Sequence, residues 1–278
     1  MSEQQDEMSF WDHLEALRWT LFRCVIALTV FAIGAFISMY KLFDAVILAP
    51  TRSDFILYRW LCKITSSIPF LPDFCDDTYL VHIFNVKLAS AFFFHMSTSF
   101  WLALLVTFPY LVYEIWKFIS PALYDHEKKN IRWAFLFGTV MFFIGCAVGY
   151  FLVFPMTLRF LATYSHLISE AIEEQVSLES YIDTFIMLIF IMGIVFELPL
   201  VSWLLSKLGL LTRSFFNKYR RHAFAGLLVL AAFITPGSDP FTLGTVFIPL
   251  YGLYELSALF VKKGSKEDDT GTEIAKYE

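Results

Sequence analysis

The sequence predicts an all-α integral membrane fold of six transmembrane helices with both termini on the cytoplasmic side. Three observations carry that prediction. Apolar residues gather in six runs, most of them near the ~20 residues that a ~30 Å hydrocarbon core demands. Hydrophobic residues make up 58% of the 278 and charged residues only 17%, with a mean hydropathy of +0.62, whereas soluble domains carry about 25% charged residues. Fifteen of the 21 Lys and Arg residues fall on one side of the implied membrane and six on the other. The same composition excludes disorder over most of the length, and a net charge of −5 leaves no basic field for nucleic acid. Backbone amides cannot stand unpaired in lipid, so each run is read as a helix. The segments are too long for a β-barrel and lack its two-residue alternation.

The runs fall at about 20–40, 88–112, 133–155, 182–206, 222–235 and 241–261, making one membrane domain over 1–261. Ahead of the first, the polar and acidic N-terminus lacks the basic region and cleavage site of a signal peptide, so the first run is expected to remain as an anchor. The loop 41–87 is long, holds Pro50, Pro69 and Pro72, and is expected to form a small outer cap. In the second run, His95 beside Ser97, Thr98 and Ser99 reads as an interhelix hydrogen-bonding group. The third carries Gly145 and Gly149 at GxxxG spacing, which lets helices approach closely. The fifth is short, since His222–Ile234 reaches about 20 Å at 1.5 Å per residue. It meets the sixth through Pro236-Gly237-Ser238-Asp239-Pro240, a tight turn. The last two helices therefore form a hairpin too short for an average bilayer, which local thinning accommodates. The charged tail 262–278 is expected to be disordered.

Orientation follows from the bases. The inner side holds Arg18 and Arg23, Lys117 to Arg132, Lys207 to Arg221 and the tail lysines, while the outer loops hold nine acids, among them Asp44, Asp73, Glu170 and Glu179. Cys62 and Cys75 share the first outer loop, either paired or as separate thiols, and Cys24 and Cys146 are expected to be buried and inert.

Three groups of residues could carry chemistry. The first is Phe10-Trp11-Asp12-His13-Leu14-Glu15-Ala16-Leu17-Arg18, an amphipathic lead-in whose Ser9 and Asp12 fit a capping box. Glu15 and Arg18 either form a plain i,i+3 ion pair or display a carboxylate to a cationic partner. The second is Phe118-Ile119-Ser120-Pro121-Ala122-Leu123-Tyr124-Asp125-His126-Glu127-Lys128-Lys129. Glu127 either pairs with its neighbouring lysines or joins Glu15 in an acidic site on a basic face, which suits a bidentate guanidinium ligand. The third is Glu197 in Phe196-Glu197-Leu198-Pro199, inside the fourth run. A carboxylate in hydrocarbon is costly and marks function unless it is protonated and neutral. Pro199 removes the backbone bond to Val195 and should kink the helix. Glu255 in the sixth run is a weaker case of the same kind. No Walker A, GxGxxG, HExxH or Cys/His metal spacing is present, so no enzyme activity, metal or cofactor is expected.

These residues resemble a known family. The lead-in is similar to the HLEELR signature of TatC, the twin-arginine protein translocase subunit, and the Phe118–Lys129 segment to that family's second-loop signature. Phe154-Pro155, Phe196-Glu197-Leu198-Pro199 and Thr235-Pro236 with Asp239-Pro240-Phe241 follow in the family's order. The resemblance implies a bacterial cytoplasmic-membrane receptor for signal peptides with consecutive arginines, with six helices in a concave, glove-like arrangement. It implies export of folded proteins driven by the proton-motive force, single-span TatA-type and often TatB-type partners, and self-association. It assigns the arginine site to acids of the lead-in and second loop, here Glu127 and Glu15, with Arg18, His126 and Lys128 around them. Glu197, Pro199 and Glu255 would form an intramembrane partner site. The chain departs from the family in carrying Ala16 where a second adjacent acid is common, and Leu243 where Gln is frequent. The rival expectation is a proton-coupled small-solute transporter with Glu197 as proton carrier.

Overall fold

A computed structural model describes residues 10–65, 81–85, 87, 89–119, 125–168, 175–207, 209–235 and 240–261. Helices dominate: α1 (Phe10–Leu42), α2 (Ile56–Thr65), α3 (Ser90–Ile119), α4 (Asp125–Val148), α5 (Phe154–Ile168), α6 (Leu178–Val195), α7 (Leu198–Lys207), α8 (Arg213–Ile234) and α9 (Pro240–Phe260). Two short strands, β1 (His82–Phe84) and β2 (Gln175–Ser177), pair in parallel with His82 opposite Gln175 and Phe84 opposite Ser177. Apart from that strand pair the elements among the described residues are helical, as the sequence predicts. Each strand is too short to show a period-2 pattern, and each finds its partner only across the intervening chain.

Among the described residues five segments are long and apolar enough to cross a membrane: Trp11–Thr51, Ser90–Phe118, Trp133–Ala162, Leu178–Lys207 and Pro240–Phe260. The run at 222–235 is not among them. It forms the second half of α8, whose first turns carry Arg213, Lys218, Arg220 and Arg221. The tail 262–278, Cys75 and Ser9 of the capping box lie outside the described residues.

The chain divides into two compact units, one comprising 1–45 and 87–139, the other 46–86 and 140–278. In the first, α1 packs along α3. His95 Nε2 meets the Phe36 carbonyl at 2.9 Å and its ring stacks on Phe36 at 4.2 Å, the interhelix role expected of it. Hydroxyls in these apolar helices turn back onto their own backbone: Thr29 donates to Val25 O at 2.8 Å and Ser99 to His95 O at 2.6 Å. Such bonds satisfy a polar group where no water can.

The second unit packs by close backbone approach. A Cβ placed on Gly145 would sit 2.6 Å from the Met192 carbonyl oxygen, one on Gly149 2.9 Å from Ile189 Cα, and one on Gly193 2.7 Å from Cys146 Sγ. The GxxxG spacing therefore does what its small residues allow, against α6. Phe154 adds edge-on contacts to Tyr181 and Phe185 at 5.2 and 5.0 Å. Three tyrosine hydroxyls then satisfy carbonyls left over where helices end or loosen. Tyr150 donates to Val46 O at 2.8 Å, Tyr181 to Ile47 O, and Tyr58 sits 3.0 Å from Pro50 O and 3.1 Å from Pro155 O. Val46 and Ile47 close a π-type turn, Phe43–Ile47, which explains why their carbonyls need a donor.

Prolines interrupt the third and fourth runs in the same manner. Pro155 and Pro199 are each the second residue of a new α-helix, after the π-type turn Gly149–Val153 and after the turn at Phe196-Glu197. A proline has no N–H to lose at a first helical turn, and its ring would clash inside the preceding helix. The kink expected at Pro199 is thus a break, bridged by Glu197 N–H to Ile194 O and Val201 N–H to Glu197 O, both at 3.0 Å. Ser177 caps α6 by accepting from Ser180 N–H at 3.2 Å, and Thr212 caps α8 through Phe215 N–H.

Candidate functional site: acids of the α1–α3 pair and the α6–α7 break

Glu15 lies in the second turn of α1 with its side chain 64% exposed, paired with Arg18 at 3.6 Å. An exposed pair of this kind is worth about 0–1 kcal/mol, so little holds Glu15 back from a better cation. Two residues earlier, His13 stacks on Phe118 near the end of α3, centroids 4.3 Å apart. The aromatic contact joins the lead-in to the start of the second-loop segment. His126, Glu127 and Lys128 are the second, third and fourth residues of α4. Their side chains, together with Pro121, lie outside the described residues. Glu15, Phe118 and the backbone at 126–128 all belong to the first unit.

Glu114 escaped the sequence reading, which ended the second run at residue 112. In the structure α3 continues to Ile119, and Glu114 is buried with its side chain only 4% exposed. Its carboxylate lies 3.3 Å from Arg23 Nε. The available signal was an apolar run continuing past Glu114, with Arg23 at a matching depth of the first run. Arg159 was also missed. Counted as an outer-loop charge, it is 2% exposed within α5, its guanidinium 5.0 Å from the Tyr58 ring centroid.

In the second unit, Glu197 occupies the α6–α7 break, half-buried, and among the described residues its Oε1 is buried without a hydrogen-bond partner. Pro199 beside it is buried. Glu255 differs from Glu197 in having a partner: Oε1 lies 2.7 Å from an Arg220 terminal nitrogen, and Arg220 Nε–H donates to Tyr251 at 3.1 Å. Phe154 is 1% exposed in the aromatic core, while Pro236 and Asp239 lie outside the described residues. Cys62 is disulfide-bonded, and Cys24 and Cys146 are free thiols. Cys24 is only partly buried, unlike the expectation, because α1 leaves most of its surface uncovered by protein. Among the described residues no group of His, Cys, Asp and Glu could hold a metal ion.

Apolar helices broken at prolines, a carboxylate left alone among them, and a charged lead-in define a multi-pass membrane protein whose polar groups suit binding. The comparisons identify which one. The family model of the Sec-independent protein translocase protein TatC matches residues 12–249, and the chain belongs to that family. The TatC of Blattabacterium sp. subsp. Periplaneta americana (strain BPLAN) is 35% identical over 258 residues, covering 92% of this chain and 96% of that protein. The TatC of Escherichia coli (strain K12) is 31% identical over 185 residues, covering 65% and 70%. A crystal structure described as the twin arginine translocase receptor TatC superposes with a TM-score of 0.67 at 28% identity, covering 89% of this chain and 97% of that one. The chain thus fits a core subunit of a Tat protein translocase, a transport component and not an enzyme. The solute-transporter alternative finds no support among these relatives.

Proposed function

We propose that this chain is the twin-arginine signal-peptide receptor of a Tat translocase in a bacterial cytoplasmic membrane. Six spans, the apolar half of α8 the shortest, take the glove-like arrangement that the resemblance implies, with both termini in the cytoplasm. Glu127 and Glu15 accept the two guanidiniums of the signal peptide, and Arg18, His126 and Lys128 fix the acids' geometry. Glu197 at the Pro199 break, with Glu255, meets the span of a TatA-type or TatB-type subunit. Copies of the chain self-associate, and the proton-motive force drives export of folded cargo.

The observation that carries this reading is the exposure of Glu15 in a chain of this family, held only by a weak surface pair. A guanidinium in a peptide binds a carboxylate through two parallel hydrogen bonds, and can displace Arg18 at small cost. The Glu197 oxygen without a partner supports the second half, because a polar group in lipid gains from any donor that a partner span brings. The test is Glu127→Ala and Glu15→Ala, each assayed for export of a folded reporter behind an Arg-Arg signal peptide. Export should fall at least tenfold for Glu127→Ala. Wild-type export in both variants would remove these acids from the site.

A further inference from the structure

We infer that the buried Glu114–Arg23 pair is a positioning element for peptide recognition: with the His95–Phe36 and His13–Phe118 contacts it fixes the rotation of α1 about its axis, and so helps determine where Glu15 presents its carboxylate. The inference rests on the receptor reading and adds to it a residue pair that takes no direct part in binding.

Four observations point the same way. First, Glu114 of α3 holds Arg23 of α1 by charge, and it is 4% exposed while Arg23 is 41% exposed. A carboxylate withdrawn from solvent binds its cation far more firmly than an exposed one does, because leaving it unpaired is costly. Second, Arg23 Nε and Glu114 Oε2 are buried atoms with no hydrogen-bond partner among the described residues, so each depends on the charge of the other. Third, shape does little for α1: only 6% of the apolar window in Trp11–Thr51 is buried within the protein. Lipid tails match apolar side chains equally well at any rotation, so polar contacts must choose one. Fourth, Arg23 and the buried Thr20 mark the line of α1 that faces α3, while Glu15 lies off that line and exposed. At ~100° per residue, Glu15 sits about 80° around from Arg23.

The consequence is geometric. With a side-chain radius of about 6 Å, a rotation of 30° would carry the Glu15 carboxylate on the order of 3 Å, a full hydrogen-bond length. Ala16 follows Glu15, so no adjacent acid stands ~100° further round to take its place. Bidentate recognition of a guanidinium tolerates such a shift poorly, whereas a lysine ammonium, which acts as a point charge, tolerates it well. Loss of the pair should therefore erode discrimination between arginine and lysine more than it erodes binding of a cation.

The experiment measures binding of a fluorescent Arg-Arg signal peptide and of its Lys-Lys counterpart to the full chain in nanodiscs. The proteins compared are wild type, Glu114→Gln, Arg23→Gln and the swapped double variant Arg23→Glu/Glu114→Arg. Expected are a preference for Arg-Arg in wild type, a loss of roughly tenfold of that preference in either single variant, and its recovery in the swapped variant. Wild-type preference retained in Glu114→Gln overturns the inference while leaving the receptor reading standing. A swapped variant that folds yet stays as indiscriminate as the single variants overturns it too. A wild-type chain without any preference overturns the receptor reading first, and the positioning role with it.

Discussion

The two units solve the problem of placing a helix in opposite ways. Of the apolar window in Trp11–Thr51 only 6% is buried within the protein, against 50% of that in Leu178–Lys207. In the unit of α1 and α3, position comes from a few discrete latches: Phe36 with His95, Arg23 with Glu114, His13 with Phe118. In the unit of α6, it comes from shape: glycines 145, 149 and 193 admit backbone contacts that any side chain would block. Lipid competes with apolar side chains for one another but cannot imitate an ion pair or a glycine notch. A helix left to lipid is located by polar contacts, and one enclosed by protein is located by fit.

Substitutions at glycine test that contrast most strongly. Gly193→Leu forces a side chain into Cys146 and Phe142, and should lower stability by about 3 kcal/mol, read as a fall in melting temperature of the detergent-solubilised chain. Tyr181→Phe comes next. It removes the buried donor to Ile47 O, and a loss of about 2 kcal/mol is expected from the carbonyl left bare. Gly34→Ala in α1 should act in the opposite sense, a gain of up to about 1 kcal/mol from helix propensity, because nothing lies within 4 Å of the added methyl. The smallest effect is expected for Glu255→Gln. Both side chains stay partly exposed and the amide can still accept from Arg220, so the melting temperature should stay near that of wild type. A destabilising Gly34→Ala alongside a silent Gly193→Leu would reverse the contrast.

Much of this arrangement could be read from the chain. Five of the six apolar runs coincide with segments apolar enough to cross a membrane, Pro199 announced the break beside Glu197, and His95 declared itself by its neighbouring hydroxyls. What stayed hidden depends on partners far apart in sequence. The tyrosine at 181 caps Ile47 and that at 150 caps Val46, and no local spacing encodes such pairings. Glu114 was lost because a charge inside an apolar run looks like its end, until a partner such as Arg23 is seen to neutralise it. Arg159 was lost for the same reason, with Tyr58 as its cover. In α8 the opposite held. Its cations at 213, 218, 220 and 221 join the apolar run in one helix, and that mixture keeps it outside the apolar spans.

Receptor function requires that acids of the α1–α3 unit meet the arginines of incoming cargo. The most direct measurement places a photo-reactive residue at position 127, and separately at position 11 beside Glu15, in cells supplying an Arg-Arg precursor or its Lys-Lys form. Crosslinks from both positions to the Arg-Arg precursor, and few or none to the Lys-Lys form, are predicted. Equal crosslinking of the two precursors, or adducts only from an outer-loop control position, would contradict it.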